Sequence, residues 1–98
     1  MIKQQTFKKI MDHAKKINKE IEELRKITEA DKDISHFFDP STFWIDCDCI
    51  PELKQKFGGD LRTRKWFTED TTFDAELVID GVRFCSEFVS DKERDKYE

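Results

Sequence analysis

Apolar side chains recur at Phe7, Ile10, Ala14, Ile17, Ile21 and Leu24, with successive spacings of 3, 4, 3, 4 and 3. This is the a/d seam of a heptad repeat and predicts one long helix over residues 3–28. Met11 and Ile27 widen the stripe at its two ends. Lys8, Lys9, Asp12, Lys15, Lys16, Lys19, Glu22, Glu23 and Lys26 fall on the opposite side, where a solvated face belongs. A helix over these residues is about 39 Å long, a large dimension for a short chain. Packing across a sheet is the expected use of the stripe, and pairing with a second copy is the rival.

The period changes beyond residue 28. Residues 29–41 read as a linker in which Ile34, Phe37 and Phe38 are spaced for a single helical turn, and Asp39-Pro40 ends it. Residues 42–50 alternate as a strand: Phe43, Ile45, Cys47 and Cys49 share the inner face, while Trp44, Asp46, Asp48 and Ile50 share the outer one. Pro51 suits the first turn of a short helix over 51–57, closed by Gly58-Gly59. Residues 60–67 read as an edge strand with Arg62, Arg64 and Trp66 on one face and Leu61, Thr63, Lys65 and Phe67 on the other.

The strongest local signal is Asp80-Gly81, a two-residue type I′ turn between alternating runs. It sets the register of a hairpin over 72–90. Ile79 opposes Val82, Leu77 opposes Phe84, Ala75 opposes Ser86 and Phe73 opposes Phe88, all on the buried face. Val78–Arg83, Glu76–Cys85 and Asp74–Glu87 face outward. The charged tail 91–98 carries a capping box, Ser90 with Glu93, but only Tyr97 is apolar, so fraying is expected. The reading is a single α+β domain over 1–98. Its long N-terminal amphipathic helix packs on one face of a three- to four-stranded antiparallel sheet (42–90) that ends in a C-terminal β-hairpin.

Composition narrows the function classes. In 98 residues 41% are charged and the net charge is −4, divided as +4 over residues 1–27 and −8 over 28–98. A dedicated duplex-DNA binder carries a strong basic excess, which is missing here. No apolar run approaches the ~20 residues that span a bilayer, and no secretory leader is evident. The expectation is a cytoplasmic protein that does not associate with membranes. Cys47, Cys49 and Cys85 are an odd count with no zinc-knuckle spacing, so buried thiols are expected rather than disulfides or a metal site.

Catalysis finds no constellation. No nucleophile has a base beside it, and no phosphate-binding loop or metalloprotease motif is present. The residues with binding chemistry are Trp44, Asp46, Asp48, Arg62, Arg64 and Trp66, projecting outward from two strands. Trp and Arg are the side chains enriched where interfaces hold their energy. The expected function is therefore a small non-enzymatic protein, without cofactor, that modulates or inhibits a protein or nucleoprotein partner by steric and electrostatic contact. In size and composition it is similar to small acidic α+β proteins of phages and mobile elements, anti-CRISPR proteins among them, although no motif carries the likeness. One alternative is a nucleic-acid-binding module that stacks bases on the Arg62–Trp66 strand. Another is a structural homodimer joined along Phe7, Ile10, Ala14, Ile17, Ile21 and Leu24.

Overall fold

The computed structural model describes residues 1–65 and 71–97, with Phe38 described by its backbone alone. The chain is α+β. Helix α1 (Gln4–Glu29) is followed by strands β1 (Ile34–Asp39) and β2 (Thr42–Ile45), helix α2 (Cys49–Phe57), strands β3 (Asp60–Lys65), β4 (Thr72–Ile79) and β5 (Val82–Ser90), and a 3-10 helix (Asp91–Tyr97). The five strands form one sheet in the order β1-β2-β5-β4-β3. It is mixed rather than wholly antiparallel, because β2 runs parallel to β5 with Phe43 beside Phe84.

The extra strand arises where a linker was expected. Ile34, Phe37 and Phe38 have the spacing of a helical turn, but the segment is extended as β1 and pairs antiparallel with β2, with His36 opposite Trp44 and Phe37 opposite Phe43. Register shifts between Ile34 and His36 and between Phe37 and Asp39 break the simple alternation of faces. The turn is set by Asp39, whose Oδ1 accepts the Ser41 hydroxyl at 2.7 Å and the Ser41 N–H at 2.8 Å. Asp39-Pro40 thus opens a hairpin instead of merely ending a segment.

β2 is shorter than the alternation suggested. Asp46 donates its N–H to the Asp33 carbonyl (2.8 Å), and its carboxylate then accepts the Asp48 N–H at 3.0 Å. This Asx turn ends the strand. α2 consequently starts at Cys49, and Ile50, expected on the outer face, is completely buried. Cys47 and Cys49 are only partly buried against the core.

The β4–β5 hairpin follows the expected register from Ile79–Val82 to Ala75–Ser86. Asp80 and Gly81 both adopt positive φ (50° and 82°), as a type I′ turn requires. The pairing of Phe73 with Phe88 fails. A bulge intervenes, Phe73 pairs with Val89, and Phe88 takes φ 57° and is 65% exposed. The extra residue shifts the buried position from Phe88 to Val89. Among the described residues Phe73, Leu77, Ile50 and Val89 are the largest fully buried side chains, each contributing about 1.5–3 kcal/mol by leaving water. They lie between the inner sheet face, α2 and the 3-10 helix.

Residues 91–97, where fraying was expected, are helical and packed. Tyr97 is buried and meets Phe73 edge-on at 5.2 Å, and Arg94 stacks over the same ring at 4.6 Å. Helix α1 departs from expectation in the opposite sense. It does not lie across the sheet. Among the described residues its substantial contact is with β1 alone, near Thr28, which is buried, and Leu24, which touches the core edge. The remainder projects, so the molecule measures 57 × 30 × 22 Å. Its radius of gyration is 17.7 Å, against about 13 Å for a compact chain of this size.

Candidate interaction surface

No described helix covers the outer face of the sheet. Strand alternation projects Arg62 and Arg64 from β3, Asp74 and Glu76 from β4, Arg83, Cys85 and Glu87 from β5, and Trp44 from β2 toward the same side. Together they line one shallow depression. Trp44 reaches it because β2 lies against β5 with Trp44 opposite Cys85. His36 backs the indole on the β1 side, stacked at 5.8 Å. Trp44 is half-buried, and its Nε1–H has no acceptor among the described residues.

Charge on this face is arranged in opposite-sign pairs, across strands and along one. Arg83 donates two bonds to Glu76 Oε2, at 2.6 and 3.2 Å, and that carboxylate holds the guanidinium firmly protonated. Arg62 pairs with Asp60 at 3.1 Å and sits opposite Glu76 in the register, and Arg64 sits opposite Asp74. The Asp74 carboxylate also accepts the backbone N–H of Phe88 at 3.3 Å. The exposed Phe88 therefore stands at the bulge beside an acid that lines the depression. The sequence reading missed Phe88, because regular alternation assigns it to the core.

The six sequence-derived contact residues separate into three groups. Trp44, Arg62 and Arg64 come together. Asp46 and Asp48 do not join them, because both sit in the turn after β2. Trp66 lies outside the described residues. The ligand atoms of Asp46, Cys47 and Asp48 are within 4.8 Å of one another, but one Asp46 oxygen is engaged by the Asp48 N–H, and the Cys47 thiol points at Asp48. The three residues fit a strand-ending turn.

The thiols are disfavoured as nucleophiles. Burial, then the carboxylates of Asp48 and Asp46, push Cys47 above its ordinary range. Burial and then Asp33 do the same for Cys49, and burial raises Cys85 despite the neighbouring Arg83. A thiolate nucleophile needs the reverse environment. No described helix is long and apolar enough to cross a membrane. No protein-family model, curated protein or solved structure matches the chain.

Proposed function

We propose that this chain is a non-catalytic interaction protein that grips a macromolecular partner through the outer face of its sheet. The observation that carries the reading is the depression that Trp44, Arg62 and Arg64 line together, with Asp74, Glu76 and Glu87 beside them. An indole and guanidinium groups on one face supply area, hydrogen bonds and rigidity at low entropic cost. The face interleaves both signs of charge, which suits a protein surface of complementary pattern better than a polyphosphate. Phosphates meeting Arg62 and Arg64 also meet the acids beside them. The body over residues 28–98 carries a net −8, which supports association with a basic partner. Occupying such a surface is sufficient for an inhibitor or adaptor, including one that blocks a nucleic-acid-processing assembly.

The test is retention of partners from native lysate by the tagged chain, with and without nuclease, against an Arg62→Ala/Arg64→Ala variant and a separate Trp44→Ala variant. A stoichiometric protein that survives nuclease and is lost from the double variant, at unchanged circular dichroism, is the expected result. Retention abolished by nuclease moves the function to nucleic-acid binding. Retention indifferent to both variants places the contact elsewhere.

A further inference from the structure

We propose that α1 pairs with α1 of a second copy as an antiparallel two-stranded coil. This inference does not depend on the role assigned to the sheet face. The seam stands clear of its own chain for most of its length: Phe7, Ile10 and Ile17 are 55%, 52% and 56% exposed. Among the described residues, the principal internal use of the helix is at its root, where Thr28 and Leu24 meet β1 and the core edge.

The seam is complementary to itself when reversed. An antiparallel heptad pair sets each a position against a d position. Phe7 then lies opposite the partner's Leu24, Ile10 opposite the partner's Ile21, and Ala14 opposite the partner's Ile17, a small residue facing a branched one. Beside the seam His13 falls near the partner's Glu20, and Gln4 near the partner's Arg25. The root of the helix already offers a receiving surface: a groove whose exposed surface is almost wholly apolar, lined by Ile17, Ile21, Leu24 and Pro40 and flanked by Lys16 and Glu20. The partner's Phe7 and Ile10 arrive there in this register.

Charge selects the direction. Residues 3–19 carry six lysines and one aspartate, whereas residues 20–29 carry four glutamates against Arg25 and Lys26. Lys8, Lys9, Lys15, Lys16 and Lys19 lie on the face away from the seam, so the bodies decide: parallel pairing sets the two acidic bodies side by side, whereas antiparallel pairing places them at opposite ends of the coil and brings each basic N-terminal half beside the other's body. Phe7, Ile10 and Ile17 of each copy, more than half exposed, supply most of the apolar area that the pairing removes from water.

Sedimentation equilibrium of the full chain tests the pairing. The expected mass is twice the 11.7 kDa of one chain. Ile17→Asp, at an exposed position, should raise the dimer dissociation constant about 100-fold or more by seating two carboxylates in the seam, while the circular dichroism of the body stays unchanged. Lysine cross-linking of isotopically mixed dimers tests direction. Lys3 and Lys26 lie about 34 Å apart along one helix, so a Lys3–Lys26 link between light and heavy chains is the antiparallel signature. A monomer at every concentration overturns the proposal, and its capture by anionic vesicles would assign the stripe to a lipid surface. A dimer linked Lys3 to Lys3, or one indifferent to Ile17→Asp, overturns the direction or the seam.

Discussion

The hydroxyl of Tyr97 donates a hydrogen bond to the carbonyl of Cys47, fifty residues earlier in the chain. It ties the 3-10 helix to the corner where β2 turns into α2. Its environment holds the phenol well above its ordinary pKa of 10.0, through burial first and then the acidic turn of Cys47 and Asp48. The neutral form is therefore the one the fold selects. Stability from this group is complete below pH 10 and is lost as the pH rises beyond it, where the unfolded chain ionises first. Tyr97→Phe should lose about 1 kcal/mol at pH 7 with the hydrogen bond. The gap between the variant and the parent should shrink above pH 10. Denaturant melts of both proteins from pH 7 to 11 check this.

Acid weakens the other side of the same tail. Lys65 bonds Asp91 at 2.8 Å and Arg94 approaches it at 3.2 Å, so the carboxyl sits below its ordinary value of 3.8, with the Lys65 hydrogen bond the largest cause. A lowered carboxylate contributes stability above pH 3.8 that is lost as the pH falls through its folded value. Asp39, held by Ser41, acts in the same direction. Asp91→Asn should flatten the acid limb of the melting temperature between pH 5 and 2 and leave a residual slope from Asp39.

Phe88 combines positive φ with an exposed ring. A bulky residue in the left-handed region costs on the order of 1–3 kcal/mol. Glycine relieves that strain, offset in part by the entropy of its freer unfolded chain. Phe88→Gly should therefore raise stability by up to about 1 kcal/mol in thermal melts, while lowering retention of the partner if the bulge presents Phe88 for contact. A marked loss of stability would mean that the ring packs as part of the fold.

Gly59 has the opposite sensitivity. With φ 98°, a Cβ built there meets the Val78 carbonyl oxygen at 2.6 Å and Ile79 Cγ1 at 2.9 Å. The carbonyl belongs to backbone and cannot swing aside. Gly59→Ala should cost at least about 2 kcal/mol, measurable as a shifted denaturant midpoint. Alanine at Gly58, where space is open, meets only the backbone penalty of its φ of 75°.

Local chemistry made part of this fold legible. Asp80-Gly81 specified its turn and the register as far as Ala75–Ser86, and the heptad spacing specified α1. Failures came where a side chain overruled periodicity. The Asp46 carboxylate ended β2 four residues into an alternation that continues on paper to Ile50. Register shifts in β1 disguised a strand as a helical turn. One bulged residue exchanged Phe88 for Val89. The same failures divided the candidate surface, since Trp44, Arg62 and Arg64 rest on regular strand positions whereas Asp46 and Asp48 lie beyond the end of one. The parallel contact of β2 with β5 joins segments about forty residues apart, and no local pattern encodes it.

That contact also determines when the sheet can exist. β5 lies at its centre, with the β1–β2 hairpin on one side and β4 with β3 on the other, yet the ribosome makes it after the other four described strands. Until residues 82–90 emerge, the β1–β2 hairpin has an open edge and β4 lacks its turn partner. The nascent chain thus holds two unfinished halves, and the central strand joins them in one late step.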